Sequence, residues 1–167
     1  MNILMVVANN GFRDPEAIEP KKILEDNGIK VTISALEAGS AVGDEGTVYN
    51  VDVPVADVKV EDYNGVAFIG GPDMAGKVNE PAHIDLARKF YDAGKLTTAI
   101  CVAPAIFAHA GIVDGKTVTS WGGVKSVMSE AGGQFSDEGV LVDGTMITAA
   151  GPHVAQEYGE AILKALG

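Results

Sequence analysis

The chain is poor in several things. Its 167 residues include one cysteine, three histidines, one tryptophan and only 12 basic residues against 23 acidic ones. One cysteine cannot close an internal disulfide, which fits a reducing compartment. No apolar run approaches the ~18–20 residues of a membrane span, and no basic region precedes the opening apolar stretch as in a secretory signal. The expected location is therefore the cytoplasm. A net charge of −11 argues against nucleic acid and anionic membrane surfaces as partners. No His/Cys/Asp cluster has metal-ligand spacing, and no G-x-G-x-x-G follows the first strand, so neither a metal nor a dinucleotide cofactor is expected.

The chain does have apolar residues, at 47% against 21% charged, enough for one globular domain over residues 1–167. Residues 2–8 form a continuous apolar run, the mark of a strand covered on both faces. Residues 29–35 and 65–69 read as further strands. Alternating Val51, Val53 and Val55 suggest a small β excursion between them. Asp14-Pro15 reads as a helix start with Asp14 as cap, although Pro20 predicts either a kink or a later start. Asn79 is the expected cap of a helix carrying Ile84, Ala87, Phe90 and Tyr91 on one face. Val124, Val127, Met128 and Ala131 have helical spacing. Thr117 to Thr119 reads as a short strand, Asp143-Gly144 as a hairpin turn, and Gly151-Pro152 as the opening of the last helix. Strands alternating with helices predict a mostly parallel sheet covered on both faces, with the site beyond the carboxyl ends of its strands.

Five candidate segments fall at those ends. The lone cysteine, Cys101, follows the apolar residues 96–100 and precedes Pro104, a residue suited to a first helical turn. This strand–turn–helix pattern predicts a nucleophile elbow, with the helix start favouring thiolate. Glu16 follows the first strand, Gly70-Gly71 the third, Ser120-Trp121 the Thr117 strand, and Gly151-Pro152-His153 the last. Arg13, in the loop before Glu16, is either a group for an anionic part of a substrate or a solvated charge. Trp121 lines the pocket or caps the core. His153 stands at the same edge. His109 is expected to be structural, being ~12 Å along the axis from Cys101 if the helix is continuous. His83 is expected to be solvated on a surface helix.

Glu16-Ala17-Ile18-Glu19-Pro20, Ile69-Gly70-Gly71-Pro72, Ala99-Ile100-Cys101-Val102-Ala103-Pro104, Gly115 to Ser120 and Ala149-Ala150-Gly151-Pro152 together resemble the PfpI/DJ-1 family of the glutamine-amidotransferase-like superfamily. The resemblance runs over essentially the whole chain. It implies a flavodoxin-like α/β/α sandwich. It implies Cys101 as nucleophile, Glu16 as the carboxyl contacting it, and the Gly71 and Val102 N–H groups as an oxyanion hole. It also implies a homodimer or a hexamer of dimers. The implied activity is cysteine-dependent chemistry on small reactive carbonyls, glyoxalase-like or deglycase-like. A redox or stress-response role of Cys101, or peptidase activity, are the alternatives. Two departures weigh against the peptidase: Val102 stands where that branch has a histidine, and Ala75, near Asp73, stands where it has an acid.

Overall fold

The computed structural model describes residues 1–167. In chain order the elements begin with β1 (Asn2–Val6), β2 (Asn10–Phe12), α1 (Asp14–Asp26), β3 (Lys30–Ala35), β4 (Gly39–Gly43), β5 (Val48–Val51) and β6 (Val53–Pro54). The middle holds β7 (Gly65–Phe68), α2 (Pro72–Ala75), α3 (Pro81–Asp92), β8 (Leu96–Ile100) and α4 (Pro104–His109). The chain closes with β9 (Thr117–Val118), α5 (Lys125–Glu130), β10 (Gln134–Phe135), β11 (Val140–Asp143), β12 (Met146–Ala149) and α6 (Ala155–Leu166). No helix is long and apolar enough to cross a membrane.

Seven strands form the central sheet in the order β11-β12-β8-β7-β1-β3-β6. Every pairing in it is parallel except the β11–β12 hairpin, which turns at Asp143-Gly144 as expected. The alternation along β1 explains the layers. Leu4 and Val6 enter one core with Phe68, Phe90 and Phe107, while Ile3 and Met5 enter a second core with Ile100, Tyr158 and Ile162. The first core lies under α3, α4 and α5, the second under α1 and α6, giving the α/β/α sandwich anticipated from the sequence. From β1 the chain moves outward to β3 and then returns to the other side of β1 for β7. Strand order reverses there, and crevices open at the carboxyl ends of strands at such a point.

Several expectations need correction. Helix α1 is one helix from Asp14 to Asp26 with Pro20 inside it. At Pro20 the helix packs closely on α6, which presents a glycine there: a Cβ on Gly159 would lie 2.7 Å from the Pro20 Cα. Asp14 does not cap the helix; Arg13 holds that position, without a side-chain cap bond. The Asp14 carboxylate instead accepts the N–H groups of Glu45 (3.3 Å) and Thr47 (3.0 Å), tying the β4–β5 turn to the start of α1. Asn79 likewise does not cap; Glu80 precedes the first residue of α3, Pro81. The Thr117 strand is outside the central sheet, paired parallel with β10 in a two-stranded ribbon. His83 is fully buried rather than solvated: its Nδ1 is 2.9 Å from the Lys77 carbonyl, which fixes the neutral ring with Nδ1–H donating, and its edge packs on Phe68.

Candidate active site

Cys101 is the one non-glycine residue with positive φ, at 64°. A side chain in that region costs about 1–2 kcal/mol and persists where neighbours enforce it. Here the Cys101 N–H donates to the Ala149 carbonyl (2.9 Å) and the Cys101 carbonyl accepts the Trp121 N–H (2.8 Å). The residue is thus clamped between the end of β12 and the Trp121 loop, and its half-buried sulfur faces a cavity of about 340 Å³. The helix behind it differs from expectation. Helix α4 begins only at Pro104 and has six residues, so its dipole acts weakly on the sulfur.

Glu16 sits on the first turn of α1 with none of its surface exposed. Its Oε2 accepts the Gly70 N–H at 2.9 Å, and its Oε1 is buried without a hydrogen-bond partner. Gly70 can be nothing larger: a Cβ would lie 2.7 Å from Glu16 Oε2 and 2.8 Å from the Cys101 Cβ. Burial pushes the Glu16 carboxyl up to about 7, against the opposing pull of the Cys101 thiol, the Gly70 N–H and Arg13. Burial first, then the Glu16 carboxylate beside it, pushes the Cys101 thiol up to about 12, with the Val102 N–H and Arg13 pulling the other way. The expectation of a resting thiolate held by the helix start is therefore corrected. The pair carries one negative charge at most, and at rest it lies on the carboxyl.

Gly71 and Val102 both line the cavity, and neither N–H donates to a backbone carbonyl. Gly71 (φ 123°) also admits no side chain, since its Cβ would lie 2.5 Å from the Arg13 nitrogen. Two N–H groups without a backbone acceptor thus stand at the cavity beside Cys101, that of Val102 directed at the sulfur itself, the kind of donor pair that can hold a developing oxyanion. The remaining walls are Pro72, Ala75, Trp121 and Pro152, so the cavity is mainly apolar. Trp121 lines it while remaining 53% exposed, its ring lying over Gly123. Arg13 is at the cavity too, and Asp44 lies 2.9 Å from its Nε.

Two candidates fall elsewhere. Gly70 is not a wall of the cavity; it holds Glu16 from behind. His153 is exposed in the turn before α6 and does not line the cavity, which its neighbour Pro152 does. His109 is exposed at the far end of α4. Asp73 accepts the Asn10 N–H (3.0 Å) and pairs with Lys77 (2.7 Å), while Ala75 takes the wall. No histidine lines the cavity. No group of three or more His, Cys, Asp or Glu side chains is arranged to hold a metal ion. Sequence reasoning missed Pro72 and Pro152 as walls and Asp44 as the partner of Arg13. Nothing in local periodicity marks a contact made across 31 residues.

A family model described as DJ-1/PfpI matches residues 1–165. An uncharacterized protein of Methanocaldococcus jannaschii is 36% identical over 167 residues, covering 98% of this chain and 82% of its own. A protein of Pyrococcus horikoshii named as a deglycase is 34% identical over 91% of each chain. The ThiJ/PfpI domain protein of Brachyspira murdochii superposes with a TM-score of 0.97 at 30% identity, over 99% of this chain and 95% of that one. Drosophila melanogaster DJ-1beta superposes with a TM-score of 0.88 at 29% identity, over 99% and 89%. With its strand order, its elbow cysteine and these relatives, the chain belongs to the DJ-1/PfpI family.

Proposed function

We propose that the protein is a cysteine-dependent enzyme acting on small 2-oxoaldehydes, in the manner of a glyoxalase that needs no added thiol, with Cys101 as nucleophile and Glu16 as proton carrier. The observation that carries this is the pairing of an elbow thiol with a buried carboxyl whose pKa, about 7, suits it to both take and give a proton at neutral pH. Relatives named as deglycases support carbonyl-directed chemistry in this family branch.

In this reading Sγ attacks the aldehyde carbon as the thiol proton passes to Glu16. The carbonyl π pair moves onto oxygen, which the Gly71 and Val102 N–H groups hold, and Glu16 then protonates it to give the hemithioacetal. Glu16 next removes the proton from the former aldehyde carbon. The enediol collapses to a thioester as that proton returns to the neighbouring carbon and the hydroxyl proton passes to the second oxygen. Water cleaves the thioester, restoring the thiol and releasing a 2-hydroxy acid. Overall, methylglyoxal plus water gives lactate.

A second reading is oxidation of Cys101 by peroxide to the sulfinic acid. Each of two peroxide molecules delivers one oxygen to sulfur and leaves as water. The Gly71 and Val102 N–H groups and a protonated Glu16 would hold the new oxygens. One preparation separates the readings. For the enzyme, methylglyoxal turnover is abolished by Cys101→Ser and falls by about 100-fold or more in Glu16→Gln; turnover that survives Cys101→Ser overturns it. For the sensor, mass spectrometry after mild peroxide shows two added oxygens on Cys101, and an unmodified thiol removes it. The peptidase alternative has no imidazole in the cavity to support it. The resemblance further proposes a homodimer or hexamer.

A further inference from the structure

Among the residues lining the cavity, Arg13 is the only charged one; its other walls are a glycine, two prolines, an alanine, a valine, a tryptophan and the cysteine. This lone cation belongs to a protein of net charge −11, in which an anion is otherwise repelled. Its place is built. The Arg13 N–H donates to the Gly70 carbonyl (3.0 Å), and the absence of a side chain on Gly71 is what lets the Arg13 backbone approach. Asp44, whose own N–H donates to the Phe12 carbonyl (2.8 Å), puts Oδ2 2.9 Å from Arg13 Nε. That contact is ionic and not a directed hydrogen bond, since Nε is buried and makes no hydrogen bond. A buried donor left without an acceptor costs stability until something supplies one. The Asp44 carboxylate is held there from its other side, its Oδ1 accepting the Asp14 N–H at 3.4 Å.

We propose that the cavity is built for carbonyl compounds carrying a carboxylate, with Arg13 as the residue that recognises it; this rests on the reading of Cys101 as a carbonyl-directed nucleophile. The guanidinium fork matches a carboxylate with two donors, and the apolar walls take the short chain between that group and the reacting carbonyl. The substrate class is then a 2-oxoaldehyde with a terminal carboxylate, such as 4,5-dioxopentanoate, which with water gives 2-hydroxypentanedioate. Arg13 sets specificity, and the sulfur, Glu16 and the two N–H donors carry the bond changes.

The test pairs binding with turnover. Trp121, the one tryptophan, lines the cavity and reports occupancy by its fluorescence. Titrations compare 4-oxopentanoate with its methyl ester in the wild type, Arg13→Gln, Arg13→Lys and Asp44→Asn. The acid binds about tenfold or more tighter than the ester in the wild type. That ratio falls to about one in Arg13→Gln, is intermediate in Arg13→Lys, and is kept or raised in Asp44→Asn, where the guanidinium is released. A wild-type ratio near one, an acid that causes no fluorescence change, or a ratio retained in Arg13→Gln overturns the proposal. In turnover, 4,5-dioxopentanoate exceeds its methyl ester in kcat/KM by a similar factor, residing in KM. If both aldehydes are turned over alike, this inference fails and the proposed chemistry stands. If neither is turned over while the binding ratio holds, the carboxylate site stands and the proposed chemistry fails.

Discussion

At the scale of single residues, Glu16 does the most with the least. It occupies a first helical turn, where a carboxylate is ordinarily favoured by the helix dipole. Burial reverses that preference and leaves the group half-protonated near neutrality. The sequence shows the glutamate and its spacing to Pro20, but it does not show that no water reaches the carboxyl or that Oε1 lacks a partner. The same blindness misplaced His83: helical spacing puts it on α3, and only the packing of Phe68 shows that it faces inward. The Glu16 shift has a consequence for stability. A carboxyl raised from 4.5 to about 7 on folding binds its proton more tightly in the native state, so its stabilising contribution is full below pH 4.5 and is lost as pH rises to 7. At about 1.4 kcal/mol per pH unit, the loss is about 3 kcal/mol by pH 8. Glutamine at this position keeps the shape and an acceptor for the Gly70 N–H but has no charge to desolvate. Unfolding free energies of Glu16→Gln relative to the wild type should therefore rise from pH 5 to pH 8. A difference that stays constant across that range would mean the carboxyl is not desolvated as described.

At the scale of elements, the existence of the central strands was legible because buried parallel strands read as apolar runs: β1, β7 and β8 all lie where the sequence puts them. Helix ends were less so. Asp14 looks like a cap and is instead a tether for the β4–β5 turn, a contact set by residues 31 and 33 positions away. Pro20 suggests a kink or a later start, yet α1 runs as one helix from Asp14 to Asp26 and meets a glycine of α6 at that residue. At that crossing a Cβ on Gly159 would meet the Pro20 Cα at 2.7 Å and Ile23 Cδ1 at 3.0 Å. On propensity alone, Gly159→Ala would stabilise α6 by about 1 kcal/mol. Contact with rigid backbone is the larger effect, since overpacking costs about 1–3 kcal/mol and the ring of Pro20 cannot turn away. The expected net result is a lower melting temperature. Because α1 carries Glu16, turnover should fall as well, beyond what the unfolded fraction explains. An alanine variant as stable as the wild type would show that the two helices can separate without cost.

At the scale of the whole molecule, charge is the feature that sequence alone makes plain and structure makes interpretable. The structure holds seven ion pairs, four of them between residues four apart: Lys21–Glu25, Lys22–Asp26 and Asp85–Lys89 on helices, and Asp73–Lys77 from α2 into the turn after it. Such helix pairs contribute about 0.3–0.5 kcal/mol each and weaken with salt. All seven pairs together engage seven of the 12 basic residues, leaving most of the 23 acidic ones without a basic partner. Compaction of a chain with net charge −11 therefore works against like-charge repulsion acting over the whole surface. At low ionic strength that repulsion reaches across the molecule, whereas at 0.15 M its range shrinks to about 8 Å. Screening removes more repulsion than attraction when the unpaired charges outnumber the pairs. The melting temperature at pH 8 should accordingly rise between about 10 mM and 150 mM sodium chloride. The rise should be smaller at pH 4.5, where many carboxylates have taken up protons. A fall with added salt at pH 8 would show instead that the ion pairs on the helices outweigh the excess of negative charge.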